Sequence, residues 1–372
     1  MYHTPELTGW MKKLGPPRFN ETIGLMHIKA YLFDDDIILS GANLSKDYFL
    51  NRQDRYYVFN NNISLSLYYR TLIQTISDFS YRVRLADGKA GESYRLIAES
   101  SPDPVYDSSN FKAEATSRMV DFLLGIRDPF SLDGFANLDP NCDTVVVPVV
   151  QMGQLNILQD QRVTLEILQS IHSTGRTKAG VTNRYSAAMT SGYFNFNKLY
   201  QEKILQTSAL FDIITASPEA NSFFGSKGIS KYIPDAYTII EDAFIGKTIG
   251  ANRFKTIKVE EYSRPNWTYH AKGKSFLNHA NSSGLWLKQP NEHLPFLTSI
   301  GSPNFGYRSL ERDLEAQVFL MTANPRLRHD MHKELDNIRK YVSPVTEESL
   351  LDISRAPRLF AKIATPLVRS ML

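Results

Sequence analysis

The sequence has little of three features that would assign it to a specialised class. It contains a single cysteine, Cys142, in 372 residues, which excludes a framework of internal disulfides and fits a reducing compartment. No apolar run approaches the roughly 18 residues that a membrane-spanning helix requires. The formal net charge is only +3, which is too small to indicate a nucleic-acid groove, so we expect no nucleic-acid partner.

What the sequence does contain is typical of a folded α/β protein. Hydrophobic residues make up 42% of the chain, enough for a substantial core. Apolar residues recur at helical spacing in the segments 62–83, 109–126, 159–173 and 234–245. Strand-like runs lie at 144–152 and near 187–194 and 211–217. An irregular stretch that ends near Asp143 predicts a boundary near residue 140.

A short pattern of polar residues occurs twice in strand-like surroundings. In "HIKAYLFDDDIILSGANLS" (27–45), His27 and Lys29 are two residues apart, so both side chains point to the same face of a strand. The segment "TYHAKG" repeats that spacing with His270 and Lys272. A single copy would be interpreted as a strand with two polar residues on its surface.

Each copy is followed by an asparagine and then by a carboxylate at the same distance. Aligning Asn43 with Asn304 places Asp54 opposite Glu315, eleven residues further on in each case. Each carboxylate enters an apolar, strand-like run. Because two such copies are hard to obtain by chance, the sequence indicates an internal duplication.

The doubled motif resembles the phospholipase D superfamily, in which two halves face each other across one active site. Further segments are similar to the family of eukaryotic mitochondrial phosphatidylglycerophosphate synthases, among them "NRQDRY", "TSGYFNF", "ASPEANSFFGSKG" and "IGSPNFGYRSLERDLEAQ". The resemblance implies an α/β fold of two pseudo-symmetric halves, each with a mixed β-sheet flanked by helices. We place these halves at 1–140 and 141–345, followed by a C-terminal tail at 346–372.

The activity that the resemblance implies is transfer of a phosphatidyl group from CDP-diacylglycerol to sn-glycerol 3-phosphate, with release of CMP. It also implies a location on the matrix side of the inner mitochondrial membrane. The tail "PRLFAKIATPLVRSML" fits peripheral contact with an anionic membrane, and docking on the body of the protein is the alternative. Two other functions stay open: a phospholipase D-type hydrolase or phosphodiesterase, and a catalytically impaired lipid-binding form.

The chemistry assigns roles to the repeated residues. A phosphodiester is a poor electrophile because it is negatively charged, so its site must neutralise the phosphate oxygens and manage protons. The candidates for this neutralisation are Lys29, Asn43, Lys272 and Asn304. By resemblance, His27 attacks phosphorus to form a phosphatidyl-histidine and His270 acts as acid and base, although the residues themselves do not rank the two histidines. Asp54 and Glu315 are the candidates for orienting the imidazoles, one in each half, with Glu315 taking this role in the second half.

With two lysines and two asparagines at the phosphate, we expect neither a metal ion nor another cofactor. The family pattern has an aspartate five residues after the lysine, and Asp34 fills this position in the first half, whereas Leu277 stands there in the second. We therefore count Asp34 as catalytic by resemblance and interpret the rest of "DDD" (34–36) as an exposed turn rather than as metal ligands.

Two arginines are candidates for holding the glycerol phosphate. Arg308 and Arg312 follow Asn304 closely, and a guanidinium binds a phosphate with two parallel hydrogen bonds. The alternative is a surface ion pair with Glu311 or Asp313.

Two features depart from the family pattern. The segment "KSFLNHANSSG" (274–284) separates "HAKG" from "LWL", and we interpret it as a surface loop or an error in the gene model. Only 26 residues precede His27, whereas about 126 residues (144–269) lead from the boundary to His270. This asymmetry predicts that the first half is N-terminally truncated and that an exposed sheet edge or apolar face lies near residues 22–40.

Overall fold

The computed structural model describes residues 1–8, 23–85, 94–99, 102–125, 141–173, 185–278, 294–352 and 355–369. The strands are β1 Ala30–Phe33, β2 Asp36–Ser40, β3 Arg52–Gln53, β4 Tyr56–Phe59, β5 Arg82–Arg84, β6 Arg95–Ile97, β7 Thr144–Met152, β8 Ile157–Leu158, β9 Tyr185–Ser191, β10 Leu210–Ala216, β11 Ile257–Tyr262, β12 Thr268–Tyr269, β13 Gly273–Asn278, β14 Pro295–Gly301, β15 Glu315–Thr322 and β16 Val342–Pro344. The α-helices are α1 Lys46–Leu50, α2 Ile63–Asp78, α3 Ser108–Gly125, α4 Gln159–Ser173, α5 Lys198–Gln206, α6 Ile233–Gly250, α7 Tyr307–Glu311, α8 Pro325–Arg339, α9 Glu347–Leu350 and α10 Leu359–Val368.

The largest sheet of the described chain is mixed, and all of its strands lie after residue 143. Its strand order is β16-β11-β10-β9-β13-β14-β15-β7-β8. Strands β9, β10 and β11 run parallel, whereas the other neighbouring pairs run antiparallel. This arrangement confirms the α/β class, and the helices predicted at 62–83, 109–126, 159–173 and 234–245 are observed within a few residues.

The parallel strands follow from their sequence. β9 is buried except at its first residue, and β10 has four buried and three partly buried residues, as is usual for parallel strands that are covered on both faces. Helices α5 and α6 provide the crossover connections that parallel neighbours require. Aromatic residues of α5, α6 and the preceding loop fill one face of this part of the sheet, notably Phe194, Phe196, Tyr200 and Phe244.

The sheet of the first half is smaller than the sequence predicted. It has the order β1-β2-β4 and is antiparallel throughout, whereas a mixed sheet was expected. β1 is its edge strand and is only partly buried, so the expected sheet edge does lie within residues 22–40. The tight turn after β1 places Asp34 in the left-handed region, with φ 52°, a conformation that aspartate tolerates better than most residues.

The two halves share one hydrophobic core. Ile37 and Leu39 of β2 belong to the same buried cluster as Val150 of β7 and Val318 of β15. Helices α2 and α3 cover this cluster with further apolar side chains. The division near residue 140 stays a prediction, because the boundary itself lies outside the described residues and the packing continues across it.

The segment interpreted as a surface loop begins as a central strand. Residues 274–278 belong to β13, which pairs with β9 on one side and β14 on the other, and Phe276 is buried. The interpretation is therefore wrong for these residues, since their backbone pairs with a strand on each side within the sheet. Residues 279–284 lie outside the described part of the chain. Among the described helices, none has the length and apolarity to cross a bilayer.

Candidate active site

Each motif histidine lies on an extended segment that pairs with the other half of the molecule. The backbone N–H of His27 donates to the carbonyl of Leu314 (2.8 Å), and the N–H of Leu314 donates to the carbonyl of Leu25 (2.8 Å). In the same way, the N–H of His270 donates to the carbonyl of Gln53 (2.9 Å), and β12 runs parallel to β3. Each histidine therefore lies beside the residue that precedes a carboxylate of the opposite half.

These pairings produce two crossed histidine–carboxylate pairs. Nδ1 of His27 lies 2.9 Å from both carboxylate oxygens of Glu315, and Nδ1 of His270 lies 2.7 Å from Oδ2 of Asp54. Since an ionised carboxylate only accepts hydrogen bonds, Nδ1 is the donor in both pairs. This tautomer leaves Nε2 of each ring as the basic nitrogen, which is the arrangement that an orienting carboxylate enforces in a catalytic triad.

The two histidines differ at Nε2. Nε2 of His270 lies 3.2 Å from the hydroxyl of Tyr48 and 3.0 Å from Nζ of Lys272. No described residue forms a hydrogen bond to Nε2 of His27, whose side chain is 16% exposed and lines a cleft of about 340 Å³. His27 therefore presents a free lone pair to the cleft, whereas His270 is held within a polar network.

Burial of both imidazoles, with the neighbouring lysines, lowers the pKa of each and favours the neutral form. Burial lowers the pKa of His270 to about 3, and the neighbouring Lys272 contributes to that shift. Burial also lowers the pKa of His27 well below its ordinary value, with further lowering by Lys29 and Lys272. A neutral imidazole is the form that acts as a nucleophile or a base.

The two motif lysines are buried behind the histidines. Lys29 donates from Nζ to the backbone carbonyl of His27 (2.7 Å). Burial and then Lys272 lower the pKa of Lys29 to about 7, and burial lowers the pKa of Lys272. The carboxylates of Glu315 and Asp54 act in the opposite direction on the pKa of both lysines, and buried cations of this kind suit an anionic phosphate.

The predicted asparagines lie at equivalent places on the cleft. Asn43 and Asn304 both line it, and each is followed by a short helix, α1 and α7. The residue five positions after each asparagine contacts a catalytic pair: Tyr48 reaches His270, and Ser309 donates from Oγ to Oε1 of Glu315 (2.6 Å). Neither residue is among the candidates that the sequence pattern predicts, although the aligned repeats place them at equivalent positions.

The arginine candidates have different positions. Arg308 lines the cleft and forms an ion pair with Asp313, with 3.0 Å between Nε and Oδ2, so the ion pair is observed and phosphate binding stays a prediction. Arg312 is not among the described residues that line the cleft. Arg52, which the sequence analysis overlooked, does line it and donates from Nε to Thr268 (2.9 Å).

Asp34 is not brought together with the other candidates. It is exposed in the turn between β1 and β2, and its backbone carbonyl accepts a hydrogen bond from Arg70 (3.0 Å). Because aspartate tolerates the left-handed conformation of this turn, the presence of Asp34 is explained without a catalytic role. We therefore correct its assignment from a catalytic to a turn-forming residue, which also explains why Leu277 at the equivalent position leaves the second histidine in place.

One group of side chains has the composition of a metal site. His27, Asp313 and Glu315 offer ligand atoms within 4.8 Å of one another. Both carboxylates already accept hydrogen bonds from the protein, because Asp313 binds the N–H of Leu25 (2.9 Å) as well as Arg308, and Glu315 binds His27 and Ser309. These contacts account for the clustering of the three side chains.

Curated relatives match the chain over nearly all of its length, and no protein-family model matches it. The probable CDP-diacylglycerol–glycerol-3-phosphate 3-phosphatidyltransferase of Dictyostelium discoideum is 40% identical over 366 residues, which cover 95% of this chain and 58% of that protein. The mitochondrial enzyme of that name from Gallus gallus is 37% identical and covers 100% of this chain and 66% of its own length. The corresponding protein of Saccharomyces cerevisiae is 36% identical, with coverages of 100% and 70%.

A solved structure supports the fold. The phosphatidylserine synthase of Haemophilus influenzae superposes with a TM-score of 0.64 over 95% of this chain and 72% of its own, at 18% identity. At this identity the likeness concerns the fold alone. The chain spans 58% of the Dictyostelium relative's length and 66% of the Gallus relative's.

Proposed function

The chain belongs to the family of the CDP-diacylglycerol–glycerol-3-phosphate 3-phosphatidyltransferases, as the sequence resemblance implied, and from this premise we propose that it transfers a phosphatidyl group from CDP-diacylglycerol to sn-glycerol 3-phosphate. The observation that carries the proposal is the pair of crossed contacts, His27 with Glu315 and His270 with Asp54. They bring two oriented imidazoles to one cleft above two buried lysines, which supports phosphoryl chemistry in two steps.

In the first step, Nε2 of His27 attacks the phosphorus that carries the diacylglycerol. A P–N bond forms, the P–O bond to CMP breaks, and the electron pair leaves on the CMP phosphate oxygen. The second pKa of a phosphate monoester is about 6, so CMP departs without a donated proton. Glu315 supports the positive charge that develops on the substituted imidazole of His27.

In the second step, His270 takes the proton from the attacking hydroxyl of glycerol 3-phosphate. The hydroxyl oxygen forms the new P–O bond, the P–N bond breaks, and His27 is regenerated. A pKa of about 3 leaves His270 without a proton to donate near neutral pH, so we assign it the role of base rather than acid. When substrate is present, the negative charges of Asp54 and of the bound phosphates oppose the effect of Lys272. They raise the pKa of His270 and so make it a stronger base.

The cleft supplies groups for the rest of the two substrates. Arg52 and Arg308 lie on its wall and suit the phosphates of either substrate. Tyr193 and Tyr237 also line it, with ring centroids 5.5 Å apart, and offer aromatic faces for a cytosine ring. Asn43 and Asn304 add neutral donors to the phosphate oxygens.

The purified chain tests this function directly. CDP-diacylglycerol in mixed micelles should release CMP beyond about one equivalent per site only when sn-glycerol 3-phosphate is added, and the lipid product should carry the additional phosphate. Replacement His27→Ala should abolish release, whereas His329→Ala, at an exposed histidine of α8, should not change it. Release of CMP and phosphatidic acid without the acceptor would identify a hydrolase, and binding without release would identify a lipid-binding form.

We further propose that the protein acts in mitochondria, at the matrix side of the inner membrane. The names of the animal relatives support the organelle, and the side of the membrane rests on the family resemblance. Peripheral contact with an anionic membrane follows from the lipid nature of the proposed substrate. Fractionation with protease protection of intact and ruptured mitochondria would test the location.

A further inference from the structure

In the described part of the C-terminal helix α10, two small side chains are buried and three large apolar ones are exposed. Ala361 and Thr365 are 1% and 3% exposed, on the side where α10 contacts α6. Leu359, Phe360 and Ile363 are 74%, 51% and 66% exposed. A helix that served only to cover the protein core would have the opposite orientation, because burying large apolar groups stabilises the fold most.

A second segment extends this exposed surface. Phe224 is 59% exposed and Ile229 is 78% exposed, in the stretch that leads to α6. The two segments are in contact, since the rings of Tyr232 and Phe360 lie 4.7 Å apart between centroids. We call the five exposed side chains the apolar rim: Phe224, Ile229, Leu359, Phe360 and Ile363.

The apolar rim borders the mouth of the active-site cleft. Phe223 and Ile233, which line the cleft, are the direct neighbours in sequence of Phe224 and Tyr232. On the other side, Asn195 lines the cleft and donates from Nδ2 to the backbone carbonyl of Arg369 (2.9 Å), immediately after α10. A molecule that covers the rim therefore lies next to the catalytic histidines.

Basic side chains surround the apolar rim. Lys227 and Lys231 are exposed beside Phe224 and Ile229, and Lys362 is exposed on α10. This combination of projecting apolar groups and lysines is typical of surfaces that enter the interfacial region of an anionic bilayer. The rim comes from separate chain segments and projects outward, which suits a fluid lipid surface.

We propose that the apolar rim inserts into an anionic lipid bilayer and holds the mouth of the cleft at the level of the headgroups. This proposal rests on the proposed function, because a diacyl substrate must bring its headgroup to His27 while its chains stay in lipid. The rim then acts as the docking surface, and the lysines bind anionic headgroups around it.

Vesicle flotation tests the docking surface without any assay of activity. The full chain should bind vesicles of phosphatidylcholine with phosphatidylglycerol, and the double variant Leu359→Ser/Ile363→Ser should lower the partition coefficient at least about tenfold. The matched control is Ile63→Ser/Leu67→Ser, which removes an equally spaced pair on α2 that is 63% and 59% exposed. Equal binding by the two double variants would overturn the proposal.

The charges are tested on the same vesicles. Lys231→Glu/Lys362→Glu should weaken binding by more than about fivefold for each lysine, since each lysine near an anionic surface contributes roughly that factor and glutamate adds repulsion. Added salt should reduce the difference. Binding that is unchanged by both substitutions and by salt would show that anionic lipid is not the occupant.

A soluble substrate separates this proposal from the proposed function. With a short-chain, monomeric CDP-diacylglycerol, Leu359→Ser/Ile363→Ser should release CMP as fast as the unmodified chain, and it should lose activity only on vesicles. If the unmodified chain releases no CMP from either substrate, the proposed function fails, while flotation still decides the docking surface. Loss of activity on the soluble substrate would show that α10 serves the site itself.

Insertion can also be observed locally. In a Cys142→Ser background, Ile363→Cys labelled with an environment-sensitive fluorophore should brighten and shift to the blue on vesicles. The same label at Ile63→Cys should not respond. A response at position 63 and none at position 363 would place the membrane on another face of the protein.

Discussion

Asp54 of the first half holds Nδ1 of His270 of the second half at 2.7 Å. The reciprocal contact joins Glu315 of the second half to His27 of the first, at 2.9 Å. Neither half therefore contains a complete histidine–carboxylate pair. This crossing makes the catalytic geometry depend on the relative position of the two halves, which the shared core and their backbone pairings fix.

Removing the charge of either orienting carboxylate should slow turnover without unfolding the protein. Glu315→Gln and Asp54→Asn should each lower kcat by roughly 10²-fold or more, because the amide no longer enforces the tautomer with a basic Nε2. Steady-state CMP release together with thermal unfolding measures both effects. The control is Glu311→Gln at an exposed position of α7. Asp313 is unsuitable as a control, since it is buried and bound to Arg308 and to the N–H of Leu25.

A rapid-quench experiment should distinguish the roles of the two histidines. His270→Ala should still release CMP in a burst close to one equivalent per site and accumulate labelled phosphatidyl group on His27, because the second step lacks its base. His27→Ala should show neither burst nor label. A label that persists in His27→Ala and disappears in His270→Ala would reverse the two roles.

The residues that the sequence placed correctly are those whose spacing repeats. Two copies of His-x-Lys, each followed by an asparagine and a carboxylate eleven residues later, predicted that Asp54 and Glu315 serve the histidines. The prediction of one carboxylate for the histidine of its own half is wrong, since Glu315 binds His27 and Asp54 binds His270. The crossing depends on pairing between residues more than 200 positions apart. Local patterns specify the strands but not their partners.

Misplaced assignments have a similar physical origin. Asp34 matched a family position, yet its conformation is a property of a turn that spacing does not reveal. The segment 274–278 was interpreted as a loop because its sequence interrupted the resemblance, although its apolar residues were suited to a buried strand. Arg52 was overlooked because it enters the cleft from a two-residue strand whose partner, β12, comes from the other half.

Alkaline pH should weaken catalysis through Lys29. Because the pKa of Lys29 is lowered to about 7, its ammonium is present below pH 7 and is lost as the pH rises through that value. The ratio kcat/KM, which reports groups of the free enzyme, should therefore fall above about pH 7. Lys29→Arg should move this decline of kcat/KM to higher pH, because a guanidinium stays protonated. We expect this shift whatever the effect of the substitution on the maximal rate. If kcat/KM of this variant declines at the same pH as that of the unmodified chain, Lys29 is not the group whose titration causes the decline.

Chelation tests the cluster of His27, Asp313 and Glu315. We expect EDTA followed by gel filtration to leave CMP release unchanged, because lysines supply the positive charge at the phosphate and both carboxylates are occupied by protein donors. The control is a second sample to which Mg²⁺ or Mn²⁺ is returned. Loss of activity with EDTA and its recovery with either ion would assign this cluster to a metal.

Arg55 should be the most sensitive structural link between the halves. Its guanidinium donates to both carboxylate oxygens of Glu334 at 2.8 Å and to the carbonyls of Ser299 (2.9 Å) and Lys272 (3.2 Å). The Arg55 side chain is 4% exposed and that of Glu334 is 26% exposed. Removal of the cation takes one donor from each of two buried carbonyls and leaves the carboxylate of Glu334 with the hydroxyl of Tyr57 (3.0 Å).

Arg55→Met should therefore lower the free energy of unfolding by about 3 kcal/mol, the lower end of the range for breaking a buried ion pair, because Glu334 can regain some water. Arg55→Lys should cost less but more than 1 kcal/mol, since an ammonium cannot bind the carboxylate through two parallel bonds. Urea unfolding measures both, with Arg70→Met as the control, because Arg70 is exposed and binds the carbonyl of Asp34.

Since the carbonyl of Lys272 loses this donor as well, turnover should fall in Arg55→Met even at temperatures where the variant is folded. Equal unfolding free energies for Arg55→Met and Arg70→Met would show that the Arg55 ion pair does not contribute to holding the halves together.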